Sequence, residues 1–354
     1  MSAFDRILKN VARGDMARRA QAKKRSLLNV PQGDNVNGHF KPLSNTVMSS
    51  TGVLQYPAKQ SGAAIIMVLL IVALATSLAA YMTEQQSLWQ RQVESQFSHV
   101  QARRLGIAGI DWSRAVLGED ARSTSGIDHE QELWAMQLPA LPVEGGEVIG
   151  IIKDRQGLFN LNNLARNNVR SQPDIEQFQR LLEILRLPTE LASDVADFIQ
   201  PQNDTENVYY LGLAHPYRAS KQQLTELGEL ALIRGFDKKT IAILQDFVTV
   251  LPDFTPINVN FASPEILAAI LKNMTLADAR MMVQQRKGNP FKTAQDFLSR
   301  LPKGNISIPA NSISVTSNYF LVTGRANLGE AQVTTKALLH RTNGWPKVVW
   351  QSVQ

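Results

Sequence analysis

The longest apolar run of the chain covers residues 63–82, twenty positions without a charged side chain. At about 1.5 Å of helical rise per residue this run is about 30 Å long, which is the hydrocarbon thickness of a bilayer. Ten Lys and Arg against three Asp precede it, whereas residues 83–102 hold Arg91 against Glu84 and Glu94. Because cytoplasmic flanks collect Lys and Arg, we expect one transmembrane helix with its N-terminus in the cytoplasm and its C-terminal part exported.

Apolar residues continue beyond this run at helical spacing. They are Trp89, Val93, Phe97, Val100, Ile107 and Ile110. Spacings of three, four and seven put such side chains on one face, so we expect the helix to continue through residues 83–117 and to pack there against a globular domain. A membrane-proximal coiled coil would give a similar stripe.

Strand patterns occur in two distant parts of the chain. Residues 147–154, a turn and residues 158–161 predict a β-hairpin within the segment 118–161. The segment 304–354 contains β-branched and aromatic runs separated by turns with Gly or Asn. These runs are 312–318, 319–326, 331–341 and 348–353. A sheet split in this way predicts an inserted domain.

The predicted insertion, residues 162–303, carries mainly helical patterns. The expected helices are 175–187, 188–200, 221–227, 237–250, 263–272, 275–287 and 293–301. Capping residues support two of them, with Ser263 before a Pro-Glu pair and Thr293 ahead of Asp296. The fold class is therefore α+β, with a long N-terminal helix, an antiparallel sheet and a large all-α insertion.

Two short segments, 159–162 and 257–260, share an Asn-hydrophobic-Asn core, and each precedes helical patterns. Asn side chains bond neighbouring backbone groups where a strand enters a helix. We interpret the pair as an internal repeat, with coincidence as the alternative for so short a motif.

The formal net charge of +6 belongs to the first 47 residues, where nine Lys and Arg stand against three Asp, and the remaining chain is neutral overall. We expect the leader, residues 1–62, to be solvated and unstructured, with Met48 as an alternative start. The chain has no cysteine, and its five His show no metal-ligand spacing. Neither a phosphate-binding loop nor a nucleophile elbow occurs, so we expect no enzyme, although a triad assembled only by the fold stays open.

The junction at Gly62, after the short basic stretch 59–61, resembles the processing site of type IV prepilins and type II secretion pseudopilins. The resemblance implies that a prepilin peptidase cuts after Gly62 and that Ala63 is then N-methylated. Most members of this family carry Glu at the fifth mature position, where this chain has Met67. That Glu is thought to pair with the terminal amine of the subunit ahead, an ion pair in apolar surroundings where an unpaired charge is costly. Its absence suggests a subunit that assembles first, at the tip.

Five ordered motifs resemble the K component of the type II secretion system, a minor pseudopilin. They are QGLFNLNNL at 156–164, ADFIQ at 196–200, NVYYLGLAHPYR at 207–218, LGELALIRGF at 227–236 and LPDFTPINVNFASPEILAAI at 251–270. The resemblance implies a pilin-like fold with a SAM-like or helix-hairpin-helix-like insertion, at the tip of a periplasmic pseudopilus that supports protein export across the outer membrane. It also implies an inner-membrane location. The implied partners are the I and J components, the major pseudopilin, the prepilin peptidase and the inner-membrane assembly platform.

Members of this family often carry the acidic stretch D-W-I-D-P-D followed by G-A-E-D-x-Y-Y, an oxygen-rich pattern that suits calcium. This chain keeps Asp197, Asp204 and Glu206, whereas Gln200 and Gln202 stand where carboxylates are expected. The resemblance makes the three acidic residues candidate calcium ligands, with a solvated polar loop as the alternative. No other cofactor is expected.

Residues 256–303 also resemble the helix-hairpin-helix units of DNA-uptake proteins, which bind phosphate through a glycine hairpin. The corresponding turn, 271–275, has no glycine, and the exported part has no basic excess for counterion release. We therefore expect no nucleic-acid partner. A membrane-anchored DNA-uptake receptor is the alternative function, and it would require salt-dependent DNA binding by residues 83–354.

Overall fold

The computed structural model describes residues 61–123, 126–137, 139–166, 169–200, 206–302, 309, 311–342 and 344–354. Except for its last two residues, the predicted leader lies outside these ranges. The chain divides into two units, the first ending at Ile71 and the second running from Val72 to Gln354. The described residues of the first unit are helical.

Eight α-helices and eleven strands occur among the described residues. The helices are α1 (Ser61–Ser123), α2 (Gln172–Ile184), α3 (Leu191–Ile199), α4 (Glu206–Leu211), α5 (Lys238–Leu244), α6 (Pro264–Ile270), α7 (Leu276–Gly288) and α8 (Ala294–Ser299). The strands are β1 (Leu141–Val143), β2 (Gly146–Asp154), β3 (Phe159–Asn160), β4 (Ala165–Arg166), β5 (Val169–Arg170), β6 (Val248–Thr249), β7 (Ile257–Asn258), β8 (Ile313–Ser314), β9 (Tyr319–Leu328), β10 (Ala331–His340) and β11 (Lys347–Val353).

Helix α1 continues past the predicted end at residue 117 to Ser123 and packs on the sheet with its C-terminal turns. Ala102, Ile110 and Leu117 are buried there at spacings of eight and seven residues, which keeps them on one face. Gly106 lies on the same face, where an added Cβ would collide with Thr335 Oγ1. Because any larger residue would meet β10 in this way, Gly106 sets how closely the helix approaches the sheet.

The predicted packing face of α1 is only partly right. Trp89, Val93, Phe97 and Val100 are 52–69% exposed, and the first buried residue of the helix in the described part of the chain is Ala102. The helical stripe exists, but the domain covers its C-terminal portion alone.

The main sheet has the order β1-β2-β9-β10-β11, and every neighbouring pair is antiparallel. Strand β2 pairs with β9 along its whole length, from Gly146 opposite Leu328 to Asp154 opposite Phe320. The two halves of the predicted split sheet are therefore neighbours in space. Its core, beneath α1, includes Trp134, Ile152 and Phe320.

The predicted hairpin of residues 147–154 with 158–161 is wrong. After β2, Asp154 Oδ2 accepts a hydrogen bond from the Gly157 amide, and the Arg155 amide donates to the Tyr319 carbonyl. The chain then leaves the sheet, and β3 pairs in parallel with β6. Apolar alternation predicts that a segment is a strand, but it does not name the partner strand.

The helical part has a core of its own, and most of the predicted helical segments contain a helix. Segment 221–227 contains no α-helix, and a 3₁₀ helix, Leu227–Leu232, begins at its last residue. The expected caps at Ser263 and Thr293 are confirmed, since their side chains accept from the Ile266 and Asp296 amides.

The predicted C-terminal segment 304–354 divides differently in the structure. Within the predicted strand 312–318, only Ile313–Ser314 are extended, as β8, and they pair with β7 rather than with the main sheet. Ile313 and Val315 also pack on the core of the helical part. The helical part therefore reaches beyond the predicted boundary at residue 303.

Two pairs of asparagines in the helical part make the same set of hydrogen bonds, which confirms the internal repeat. In the first copy the Asn160 side chain accepts from the Asn162 amide, and in the second copy Asn258 accepts from Asn260 in the same way. Asn162 then bonds the N–H and C=O of Leu224 at 2.9 Å each. Asn260 does the same to Phe291, also at 2.9 Å each. The first Asn of each pair is the last residue of a two-residue strand, β3 in one copy and β7 in the other, and these strands pair in parallel with β6 and β8.

We expect Asn260→Ala to lower the free energy of unfolding by about 2–4 kcal/mol, because it leaves the buried N–H and C=O of Phe291 without a partner. Urea unfolding of the purified chain in mild detergent, followed by tryptophan fluorescence, measures the change. The matched control is Asn289→Ala, since Asn289 is exposed. An equal effect of the two substitutions would contradict the structural role of the repeat.

Candidate functional site

Helix α1 is the one helix among the described residues that is long and apolar enough to cross a membrane, and none of its most apolar window is buried. Its large apolar side chains from Ile65 to Met82 are 51–68% exposed. An exposed apolar surface of this size marks a membrane or protein contact. The length and composition of the segment suit a bilayer.

A second exposed apolar surface follows along α1. We call Trp89, Val93, Phe97 and Val100 the uncovered stripe; spacings of four, four and three residues keep it on one helix face. Val93 lies eleven residues past Met82, or about 16 Å along the helix axis, whereas a headgroup layer is about 6 Å thick. A bilayer whose hydrocarbon core ends at Met82 therefore does not reach Val93, Phe97 or Val100. The stripe is a candidate contact surface for other proteins.

The residues of the expected processing site lie at the start of α1. Gly62 and Ala63 belong to its first turn, because the helix begins at Ser61. Met67, four residues after Ala63, is 66% exposed on the apolar segment.

The expected calcium ligands are only partly visible. Asp204 lies outside the described residues, and Glu206 is described only as the first residue of α4. Asp197, on α3, forms an ion pair with Arg170 of β5. The structure thus gives a side-chain position for one of the three, and that carboxylate is already paired with a cation.

A different group of acidic residues lies close together where α1 meets the sheet. Asp120 is near the C-terminal end of α1, Asp128 and Glu132 follow in the next loop, and one carboxylate oxygen from each lies within 4.8 Å of the others. We call these three residues the carboxylate cluster. Asp128 is 1% exposed and Glu132 is 8% exposed, so two of the three carboxylates are buried.

Arg341, immediately after β10, joins two members of the carboxylate cluster. Its Nη1 donates to Asp120 Oδ2 at 2.8 Å, and its Nη2 donates to Asp128 Oδ2 at 2.5 Å and to the Ser317 carbonyl at 2.7 Å. Glu132 is held differently: its Oε2 accepts from Trp134 Nε1 at 2.8 Å and from the His129 amide at 3.3 Å.

Burial, together with the negative charges of Asp120 and Asp128, raises the pKa of Glu132 from 4.5 to about 7. Burial likewise raises the pKa of Asp154 to about 6, with a smaller contribution from the charge of Asp128. The carboxyl groups at this junction are therefore close enough to one another to influence the pKa of Glu132 and of Asp154.

The sequence gives no local signal for the carboxylate cluster. Asp120 and Arg341 are 221 positions apart and meet because α1 packs on the sheet. Asp128 and Glu132, four residues apart, look like ordinary loop acids, and neither lies in a known metal-binding spacing.

Comparison with family models matches this chain to type II secretion system protein K over residues 157–253 and 257–316. Type II secretion system protein K of Pectobacterium carotovorum is 29% identical over 314 residues, which cover 82% of this chain and 96% of that protein. The protein of the same name from Pseudomonas aeruginosa is 30% identical over 298 residues, covering 80% and 89%.

Among solved structures, the GspK-GspI-GspJ complex of enterotoxigenic Escherichia coli contains a chain that matches with a TM-score of 0.65. Sequence identity is 22%, and the match covers 74% of this chain and 99% of that chain. The two chains share a fold. The pilin-like architecture expected from the sequence is therefore confirmed.

We expect Glu132→Gln to reduce the pH dependence of stability between pH 5 and 8. A carboxyl whose pKa is raised in the folded state stabilises that state below its unfolded pKa of 4.5 and loses this contribution as pH rises through about 7. Through Glu132 alone, unfolding of the parent chain should therefore become easier over this interval by about 1–2 kcal/mol, after allowance for the nearby solvent.

The amide introduced by Glu132→Gln keeps an acceptor for Trp134 and cannot ionise, so the variant should show a flatter profile. Urea unfolding at pH 5.5 and pH 8.0, with a chelator present throughout, measures the difference. Glu144→Gln is the matched control, because Glu144 is exposed in the β1–β2 turn. A variant profile as steep as that of the parent chain would rule out Glu132 as the source.

Proposed function

Because the chain belongs to the type II secretion system protein K family and is a minor pseudopilin of type II secretion, we propose that it forms the tip of a periplasmic pseudopilus. There it supports the export of folded proteins across the outer membrane. Its family is a structural component of the secretion apparatus, and we propose that the chain acts by assembly and performs no catalysis.

The observation that carries this proposal is the uncovered stripe of α1. A folded domain that left Val93, Phe97 and Val100 in water would lose the free energy of burying them, about 1.5–3 kcal/mol for each large apolar side chain. The N-terminal part of the same helix is the apolar segment whose length and composition suit a bilayer. Sister subunits whose helices pack side by side in a pilus would cover the stripe.

Two features support a position at the tip. Met67 cannot pair with the terminal amine of a preceding subunit, and the first subunit of an assembly has no preceding subunit. The helical part also adds a second core beside the sheet domain. In our proposal its bulk prevents another subunit from being added on the outer side.

The proposed maturation uses Gly62 and Ala63. A prepilin peptidase cuts between them on the cytoplasmic side and Ala63 becomes N-methylated, which leaves the apolar segment as the start of the mature chain. The excess of Lys and Arg before residue 62 favours a cytoplasmic N-terminus and a periplasmic domain in the inner membrane.

The proposed partners are the I and J components, which accompany a K component in the solved Escherichia coli complex. The major pseudopilin, the prepilin peptidase and the assembly platform complete the set. We propose that the uncovered stripe faces the helices of I and J.

The absence of glycine in the turn 271–275 no longer argues against the DNA-uptake alternative, but the charge of the chain and its family still do. Asn273 adopts a left-handed φ of 69° in the turn 271–275, so this turn reaches the conformation that usually calls for glycine. The neutral overall charge after residue 47 still gives DNA no electrostatic attraction. Membership in the protein K family favours secretion.

We expect Phe97→Ala to reduce co-purification of the I and J components by roughly tenfold and to impair secretion, because truncating an aromatic contact at an interface costs about 1–2 kcal/mol. Phe97 is 69% exposed, so the domain's own free energy of unfolding should stay within about 0.5 kcal/mol of the parent value.

Met281→Ala is the matched control for this test, since Met281 is 53% exposed on α7, away from the stripe. It should leave both co-purification and secretion unchanged. Normal recovery of I and J with the Phe97 variant would contradict the proposed role of the stripe.

A further inference from the structure

The carboxylate cluster has the spacing of a cation site. One oxygen from each of Asp120, Asp128 and Glu132 lies within 4.8 Å of the other two. A bound Ca²⁺ holds its oxygens at about 2.3–2.6 Å, so two ligands of the same ion are at most about 5 Å apart. The three side chains can therefore contact one ion without a large movement.

Asp128 provides a second, independent observation, because one of its carboxylate oxygens is buried without a partner. Its Oδ2 accepts from the Ser317 amide and from Arg341, whereas its buried Oδ1 has no hydrogen-bond partner among the residues that the structure describes. A buried carboxylate oxygen without a partner is costly, because it has lost its water and gained nothing in return. Asp128 as a whole is 1% exposed.

The hydrogen bonds described for the Glu132 side chain all reach Oε2. Like Asp128, this residue is anchored through one oxygen, and the anchoring groups, Trp134 and the His129 amide, fix the carboxyl group beside Asp128. The site is thus built in advance by neutral donors and by Arg341, rather than formed by mobile surface acids.

Charge balance also favours a divalent ion. Arg341 forms ion pairs with Asp120 and Asp128, whereas the Glu132 carboxyl group has no ion pair among the residues that the structure describes. Asp120, Asp128 and Arg341 line an open cavity of about 850 Å³, together with Asn318 and His340. The cavity gives a hydrated ion access and leaves space for the waters that complete six to eight ligands.

We propose that Asp120, Asp128 and Glu132 bind one Ca²⁺ ion at the junction between α1 and the sheet. All three ligands are hard carboxylate oxygens, the donor type that Ca²⁺ prefers. The ion ties the end of α1 to the following loop, next to the arginine that follows β10, and so stiffens the joint between helix and sheet. This site is separate from Asp197, Asp204 and Glu206, and it does not depend on the tip position or on the identity of the partners.

The test uses the full chain in mild detergent, freed of metal with a chelator that is then removed. Ca²⁺ is titrated while Tm is followed, and Tb³⁺ replaces Ca²⁺ in a luminescence assay with tryptophan excitation. Trp134 Nε1 is 2.8 Å from Glu132 Oε2, close enough to sensitise an ion held by that carboxyl group. We expect Ca²⁺ to raise Tm, and Tb³⁺ emission to appear and then to be displaced by Ca²⁺.

Asp128→Asn and Glu132→Gln should each weaken binding by roughly tenfold or more, because affinity follows the number of ligand charges. Asp197→Asn is the matched control and should leave binding unchanged. Asp120→Asn, at a side chain that is 12% exposed, keeps the test decisive if circular dichroism shows that Asp128→Asn does not fold. The proposal is overturned if the parent chain shows no Ca²⁺ effect, if the cluster variants bind as the parent does, or if Asp197→Asn abolishes binding.

Discussion

The main constraint on this protein is a long apolar surface of α1 that the described part of the chain leaves exposed. From Ile65 to Val100 the large apolar side chains of α1 stay exposed, and burial begins only at Ala102. Free energy gained by removing such surface from water is the main driving force of association. In our proposal lipid covers the segment up to Met82, and sister subunits cover the remaining stripe. Assembly is thus a consequence of how much of α1 the domain leaves bare.

The domain meets α1 through a narrow and specific contact. Gly106 lets the helix approach β10, while Ala102, Ile110 and Leu117 fill the interface around it. The helical part does not disturb this contact, because β2 and β9 are neighbours in the sheet although the insertion separates them in the chain. The buried asparagine pairs hold that part together by satisfying backbone groups of distant loops. A large domain is thereby added without loss of the pilin-like frame.

The sequence predicts the features whose cause is local. Length and apolarity indicate the membrane segment, capping residues mark helix starts at Ser263 and Thr293, and alternation identifies the strands of the split sheet. Prediction fails where the partner is remote: within the predicted strand 158–161, Phe159 and Asn160 pair with β6 instead of the adjacent strand. The carboxylate cluster and Arg341 come together only because α1 packs on the sheet. Their spacing in the sequence therefore does not predict that they are close together.

The central claim is that α1 becomes a pilus subunit helix through prepilin processing. The most direct test is the N-terminal residue and intact mass of the protein purified from its own membrane. Our account predicts a chain that begins at N-methylated Ala63, so that the apolar segment of α1 starts the mature protein. A mature chain that begins at Met1 or Met48 would show that the peptidase does not act on it, and would contradict the account.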